Sequence, residues 1–386
     1  MENPTQKAFS RWKIMLAAGI GLSISFWMFY SSFTDTQFTE ATGVGTHRWV
    51  DGNHNGKIDY SLPEDFIKDE NGGYTIQTIS SSLKNINWSQ QTVFWLLGAV
   101  LFTAGRDFFY MLRIRLLTKD RLSWKASFYV IMLWEFASAL SPGVVGGAAV
   151  AMFILNREGV PFGKATAIVI ITAFMDNLFY VVMIPLVFLF VHHTDVLSSN
   201  QSESIFLFWW FWVGFSIILF ICLLLYLTLF WFPKMATNFL LFIFKIPFLK
   251  RWKFIAKEWG KDIEKASHEF KKESIAFWIK VFLSTFGSWI SRYLVINAIL
   301  NAFLDLGFID NIRIVGKQLI LWLFMLVSPT PGGSGVAEYA FGELLSDFGT
   351  SAFLLATLAL IWRLISYFPY LIIGSALLPS WAKRSN

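Results

Sequence analysis

Long apolar runs dominate the pattern of hydrophobic and polar positions along the chain. A helix needs about 20 predominantly apolar residues to cross a bilayer, so each run of that length predicts a transmembrane helix. Six runs meet this criterion, at residues 14–33, 92–112, 165–191, 205–232, 275–303 and 351–378. The pattern therefore predicts an all-α polytopic membrane protein. A cleaved signal peptide is the alternative for the first run, although no Ala-x-Ala site follows it.

Two further apolar stretches, 127–155 and 318–345, are each interrupted by a cluster of proline and glycine. Proline removes a helix hydrogen bond, and glycine is a poor helix former. Each half is then too short to cross a bilayer unaided, so we predict two re-entrant helical hairpins. A single kinked crossing is the alternative for each stretch. Paired breaks of this kind indicate the substrate site of a transporter, because broken helices in lipid are tolerated where they line a cavity.

The residues at the two breaks are candidates for substrate binding. Glycine turns expose backbone N–H groups, and helix N-termini attract anions. The alternative is that the glycines only allow helices to pack closely. The candidates are Pro142, Gly143, Gly146, Gly147, Pro329, Pro331, Gly332, Gly333, Ser334 and Gly335.

The distribution of charge predicts the orientation in the membrane. The stretches 113–125 and 234–272 and both termini are rich in Lys and Arg, whereas 34–90 is acidic. By the positive-inside rule, six crossings and two hairpins place the basic segments and both termini in the cytoplasm. The two hairpins then enter from opposite sides. The order crossing, hairpin, crossing occurs twice with opposite orientation, which is an inverted-topology repeat.

This topology also predicts the domain boundaries. An N-terminal helix (1–33) and an extracytoplasmic segment (34–90) precede the first repeat (91–204). A linking helix with a basic cytoplasmic segment (205–274) leads to the second repeat (275–386). The basic segment mixes Lys with Phe, Trp and Ile, which predicts an interfacial helix on an anionic leaflet. A partner-binding helix is the alternative.

Composition agrees with a membrane protein. Of the 386 residues, 55% are hydrophobic and only 15% are charged, against about 25% charged in soluble domains. The formal net charge is +6, but the basic residues lie in inter-helix loops, so no nucleic-acid partner is expected. The single cysteine, Cys222, excludes an intramolecular disulfide.

Ionisable side chains inside predicted membrane segments are costly, and for that reason they are functional candidates. Asp176 and Arg363 lie at similar distances after the two breaks, so the repeat places opposite charges at similar depths. They could pair across the repeat axis. Alternatively, Arg363 could hold a lipid phosphate bidentately while Glu338 and Asp176 bind protons or a cationic headgroup. A buried ion pair that fixes helix packing is the structural alternative. The candidates are Glu135, Asp176, Arg292, Glu338 and Arg363.

Short motifs in both halves resemble one family. The first half carries a basic stretch at 113–117 and then Leu140-Ser141-Pro142-Gly143, Gly146-Gly147 and Asn156-Arg157-Glu158-Gly159-Val160. The second half carries a glycine-rich motif at 329–338 and Trp362-Arg363-Leu364-Ile365-Ser366-Tyr367. Over roughly residues 90–380 the chain resembles the lysylphosphatidylglycerol synthase transmembrane-region family. The resemblance implies a lipid-handling membrane protein with flippase activity as the leading function. Synthesis of lysyl-lipid is not implied, since no soluble aminoacyl-transfer domain is expected.

Together these observations predict a lipid transporter of the cell (inner) membrane, either a flippase or a scramblase. It would move a phospholipid or lipid-linked headgroup, bound between the hairpins, from one leaflet to the other. The alternatives are a membrane enzyme or an accessory protein of polyprenyl-phosphate-linked glycan or envelope lipid assembly. The motif Gly332-Gly333-Ser334-Gly335 matches intramembrane serine proteases, but no histidine follows it, so protease activity is not expected. No catalytic motif is found, so the protein is not expected to be an enzyme. A homo-oligomer is compatible with the sequence.

Residues 51–59 resemble the start of a calcium-binding EF-hand loop. Calcium takes six to eight oxygen ligands and usually an acidic residue at position 12, which here is Leu62. An Asx-turn hairpin between short strands is the alternative. No other cofactor is expected. The candidate ligands are Asp51, Asn53, Asn55, Lys57 and Asp59.

Overall fold

The computed structural model describes residues 30, 37–52, 58, 63–77, 88–141, 143–192, 195–196, 201–235, 238, 253–326, 330, 333, 336–348 and 352–383. Two strands come first, β1 (Gln37–Trp49) and β2 (Phe66–Gln77). The first helices are α1 (Gln90–Thr118), α2 (Trp124–Leu140), α3 (Gly143–Arg157), α4 (Phe162–Phe188) and α5 (Gln201–Phe230). They are followed by α6 (Lys253–Lys271), α7 (Ile275–Asn301), α8 (Phe308–Leu326), α9 (Val336–Leu345), α10 (Ala352–Ser366) and α11 (Phe368–Lys383).

The acidic segment forms an antiparallel hairpin of β1 and β2, with an irregular register. Its small core is aromatic, since the ring of Phe38 stacks on that of Phe66 with centroids 4.1 Å apart. The strands have 13 and 12 residues, so the alternative of short strands was wrong about their length.

The proposed calcium loop falls between β1 and β2. Of its candidate ligands, only Asp51 is described, while Asn53, Asn55, Lys57 and Asp59 lie outside the described residues. No group of three His, Cys, Asp or Glu side chains suited to a metal ion occurs in the part of the chain that the structure describes. The calcium site therefore stays a prediction.

The helices agree with the predicted crossings. Four are long and apolar enough to cross a membrane, at Gln90–Thr118, Phe162–Phe188, Phe211–Phe230 and Thr357–Trp381. A fifth candidate is Ile263–Lys271 with Ile275–Asn301, two helices bent by 107°. Of the predicted crossing at 14–33, only Tyr30 is among the described residues. The protein is a multi-pass membrane protein built from α-helices.

Serine residues begin three of these helices. The hydroxyls of Ser89, Ser123 and Ser274 accept backbone N–H bonds at the starts of α1, α2 and α7, which satisfies donors that a helix start leaves open. At its other end α1 continues to Thr118 and stops where Lys119 adopts a left-handed backbone, φ 54°. The assignment of Arg113 to a basic loop was therefore wrong, because this residue lies within the helix.

The order long helix, helix pair, apolar helix occurs twice among the described elements. The first set is α1, the pair α2–α3, and α4; the second is α7, the pair α8–α9, and α10–α11. The two long helices α1 and α7 pack along each other over the largest helix interface. In turn α2 packs on α11, and α8 packs on α4. Each pair of helices therefore contacts the last helix of the other set.

Contacts between distant residues define the two ends of the bundle. At one end, Lys164 at the start of α4 pairs with Glu269 of α6 (3.4 Å), and Lys119 pairs with Glu273. The basic segment after α1 and the basic segment before α7 therefore lie at the same end of the bundle. At the other end, the ring of Trp88 before α1 contacts that of Phe303 after α7, with centroids 6.3 Å apart.

The pair α8–α9 begins and ends at the second of these ends. The amide of Asn301 in α7 donates to Asn311 near the start of α8 (2.7 Å). Asp347, just after α9, accepts from Arg313 of α8 (3.1 Å). The segment between α8 and α9 includes Gly333, whose φ of 69° lies in the left-handed region that favours glycine.

Candidate functional site

A cavity of about 320 Å³ lies among the apolar helices. Helices of both sets line it, including α1, α2 and α4 from the first and α7, α8, α10 and α11 from the second. Its lining contains five of the predicted site residues, which are Glu135, Asp176, Arg292, Gly333 and Arg363. Three further lining residues, Arg106, Tyr110 and Arg113, were not predicted as site residues. They recur at helical intervals and therefore share one face of α1, so their spacing in the sequence could have identified them.

Asp176 is held by residues of two other helices. Its Oδ1 accepts from Arg113 Nη1 of α1 at 2.6 Å and from Trp289 Nε1 of α7 at 2.9 Å. The same guanidinium donates to Thr285 Oγ1 of α7 (3.2 Å). These bonds connect α1, α4 and α7 around one carboxylate. Of the alternatives for Asp176 and Arg363, a pair between the two was therefore wrong, because the packing brings Arg113 to Asp176 instead.

Arg363 pairs within the second set of helices. Its Nε and Nη2 donate to the two oxygens of Glu338, at 2.8 and 3.3 Å, in a bidentate arrangement. Nη2 also donates to the carbonyl oxygen of Gly333 (3.3 Å). Arg363 thus connects α10 to α9 and to the break that precedes it. Glu338 itself does not line the cavity.

A third arginine connects α1 to α2. Arg106, which is almost fully buried, forms an ion pair with Glu135. Its guanidinium lies over the ring of Tyr370 of α11, 4.8 Å from the centroid. The hydroxyl of Tyr370 donates to Asp107 Oδ1 at 2.8 Å. These contacts join α1 to both α2 and α11.

Arg292 differs from the other three arginines of the cavity. Its guanidinium lies over the indole rings of Trp289 and Trp322, at 5.0 and 5.4 Å from the centroids. Among the described residues, no carboxylate lies within ion-pair distance of it. The surrounding wall is aromatic, and the hydroxyls of Tyr180 and Tyr293 are 2.7 Å apart. No sequence signal distinguished these aromatic residues, because aromatic residues make up 18% of the chain.

Among the predicted residues at the first break, the surroundings of Gly147 are described. Gly147 does not line it, and a Cβ at this position would lie 3.0 Å from Cβ of Ser138 in α2. This glycine therefore allows α3 to pack closely on α2, as the structural alternative predicted. Gly143 and Gly146 belong to α3. The remaining break residues lie outside the described residues, namely Pro142, Pro329, Pro331, Gly332, Ser334 and Gly335.

Comparison with known proteins agrees with the predicted resemblance. Residues 74–374, which include the whole cavity, match the family described as Lysylphosphatidylglycerol synthase TM region. A UPF0104 membrane protein of Archaeoglobus fulgidus is 27% identical over 301 residues, covering 73% of this chain and 85% of that protein. No solved structure is significantly similar. The chain therefore belongs to the lysylphosphatidylglycerol synthase transmembrane-region family of integral membrane proteins.

Proposed function

We propose that this protein is a lipid transporter that carries a phospholipid or lipid-linked headgroup between leaflets. The observation that supports this proposal is the cavity itself, which places four arginines and two carboxylates among membrane-crossing helices. Charges at membrane depth are costly and mark pathways for polar substrates. A headgroup in the cavity exchanges its hydration for these groups, while its acyl or prenyl tails stay in the bilayer. No step of this function breaks or forms a covalent bond, so we propose a transporter and not an enzyme.

The two sets of helices form an inverted repeat in this proposal, and each helix pair is a re-entrant hairpin. The reciprocal packing of α2 on α11 and of α8 on α4 supports it. The first pair lies between Lys119, which pairs with Glu273 just after α6, and Lys164, which pairs with Glu269 of α6. The second pair belongs to the opposite end of the bundle, where Asp347 accepts from Arg313. The hairpins therefore approach the cavity from opposite sides.

Transport through alternating access requires the two sets to move against each other. Their contacts at the cavity include polar bonds, such as that between the hydroxyls of Tyr180 and Tyr293. Such bonds can exchange for bonds to a headgroup as the cavity opens. A static polar groove, as in a scramblase, needs no such motion. The two mechanisms differ in whether a chemical gradient accelerates transport.

Filling the cavity is expected to abolish transport. Ala173 of α4 lines the cavity, so Ala173→Trp places a large ring where the headgroup would bind. The matched control is Val182→Trp on the same helix, since Val182 is exposed on the outer surface. Transport is measured in proteoliposomes with dye-labelled phospholipids and dye-labelled polyprenyl phosphate, by quenching the dye from outside.

We expect the wild type and Val182→Trp to expose the inner-leaflet dye, and Ala173→Trp to behave like protein-free vesicles. Circular dichroism and gel filtration establish first that both variants are folded. A wild type that moves none of the lipids would contradict the proposal. It would favour a membrane enzyme or an accessory protein instead.

We further propose that both termini and α6 are on the cytoplasmic side of the cell membrane, with α6 on the anionic leaflet. The buried side of α6 includes Ile263 and Phe270, and Lys265 is exposed. Cysteines at Lys265 and at Glu70 of β2 test the orientation, because the native Cys222 is buried. A membrane-impermeant maleimide is expected to label Glu70→Cys in intact spheroplasts and Lys265→Cys only after permeabilisation. The reverse pattern would overturn the assigned orientation.

A further inference from the structure

We propose that the cavity selects a headgroup of net negative charge, and that Arg292 binds its phosphate. The inference rests on the proposed function, because it names the class of lipid that the same cavity carries. The chemistry is that of a phosphate group attached to a lipid, in which no cationic group balances the negative charge. Anionic phospholipids and polyprenyl phosphates both present it.

In the part of the chain that the structure describes, the charges around the cavity leave one arginine without a carboxylate partner. Three arginines have carboxylate partners: Arg106 pairs with Glu135, Arg113 with Asp176, and Arg363 with Glu338. Arg292 has no carboxylate at ion-pair distance among the described residues. Asp107 is the other acidic residue close to this group, but it does not line the cavity and accepts from Tyr370 instead. The surface that a ligand meets therefore carries an excess positive charge.

The aromatic contacts of Arg292 leave its hydrogen-bond donors available. The rings of Trp289 and Trp322 are 4.9 Å apart and inclined at 78°, and the guanidinium lies over both. These cation–π contacts stabilise the charge without supplying an oxygen acceptor to the N–H groups of the guanidinium. Its N–H groups point along its edge, in the planar fork that matches two oxygens of a phosphate. Arg292 makes no hydrogen bond to any described residue, so these donors are free for a ligand.

The size and the acidic residues of the cavity favour the same ligand class. A volume of about 320 Å³ lies at the small end of ligand pockets, which suits a compact headgroup. The carboxylates of the lining, Glu135 and Asp176, already have arginine partners. A choline or lysyl cation would therefore find no unpaired carboxylate and would be repelled by Arg292. Zwitterionic and cationic headgroups are disfavoured for this reason.

Calorimetric titration of the purified protein in a neutral detergent tests this selectivity. The ligands are dihexanoyl-phosphatidylglycerol, farnesyl phosphate, inorganic phosphate and the zwitterionic dihexanoyl-phosphatidylcholine. We expect the two anionic lipids to bind the wild type roughly ten- to hundredfold more tightly than the zwitterionic lipid. All three carry a phosphate that Arg292 can contact, but only the zwitterionic lipid also brings a cation, which the positive charge of Arg292 repels. Binding of inorganic phosphate alone would identify a free anion, not a lipid, as the ligand and would overturn the proposal.

Arg292→Gln is expected to remove most of this preference, whereas Arg292→Lys retains part of it, because lysine keeps the charge but lacks the fork. The matched control is Lys280→Gln, which removes an exposed cation from the same helix and should leave binding unchanged. Equal binding of anionic and zwitterionic lipids by the wild type would contradict the inference whether or not the variants fold.

The transport assay separates this inference from the proposed function. Rapid transport of every lipid class, insensitive to Arg292→Gln, would leave the transporter intact and eliminate the anion site. Selective binding of anionic lipids without any transport would support the anion site and eliminate the transporter.

Discussion

Replacing Arg113 by leucine is expected to lower the free energy of unfolding by about 3–5 kcal/mol, the usual result of breaking a buried ion pair by removing one partner. Asp176 would lose the charged donor at 2.6 Å and keep only the bond from Trp289 Nε1. Thr285 would lose its bond to the same guanidinium. These contacts connect α1, α4 and α7. Their loss should therefore loosen the packing of three helices around the cavity and not only change the position of one side chain.

Thermal unfolding in a mild detergent, followed by circular dichroism, measures this loss. The double variant Arg113→Leu with Asp176→Asn should recover much of the stability, because the uncompensated charge is then removed as well. The control is Lys164→Leu, whose partner Glu269 is 44% exposed. Such an exposed pair contributes about 0–1 kcal/mol. Equal effects of Arg113→Leu and Lys164→Leu would show that the Asp176 pair is not a main structural contact.

Replacing Gly374 by alanine is expected to destabilise the protein by about 1–3 kcal/mol, as overpacking of a close-packed interior does. Gly374 lies in α11, and a Cβ there would be 2.7 Å from Cδ2 of Phe136 in α2. The backbones of α2 and α11 cannot move away from the added Cβ without separating these two helices, which both line the cavity. The two helices would move apart, and Tyr370 of α11 would move relative to Asp107.

The control for Gly374 is a glycine with space around it. In α1, a Cβ at Gly98 would meet only the ring of Phe102, at 4.0 Å. Gly98→Ala should therefore stabilise the helix slightly, because alanine is favoured over glycine by about 1 kcal/mol in helix interiors. The two alanine variants are thus expected to shift the melting temperature in opposite directions. A stabilised Gly374→Ala protein would contradict the tight packing of α2 on α11.

Much of the helical architecture was predictable because it depends on local properties. The apolar runs predicted α1, α4, α5, α7 and α10–α11, since a length of apolar chain and a bilayer thickness decide them. The breaks after Leu140 and Leu326 were predictable from proline and glycine. Because charges inside a membrane are costly, Asp176, Arg292 and Arg363 were predicted as site residues. The structure brings all three to one cavity.

The pairing of those charges was not predictable, because it joins residues distant in sequence. A pair of Asp176 with Arg363 was one alternative, suggested by their similar positions in the two halves. The packing of α1 between α4 and α7 supplies Arg113 to Asp176 across 63 residues of sequence. Arg363 finds Glu338 within its own half. Equivalent depth in a repeat does not imply contact, since side-chain partners depend on which helix faces lie together.

The sequence by itself determined that this is a helical membrane protein of the lysylphosphatidylglycerol synthase transmembrane-region family, with two broken apolar segments. These properties follow from hydropathy, from proline chemistry and from motifs that are contiguous in the chain. Only the tertiary structure decided which arginine of the cavity has no carboxylate at ion-pair distance among the described residues. That choice depends on the distances between helix faces, which place Arg292 against Trp289 and Trp322 and not beside an acidic side chain.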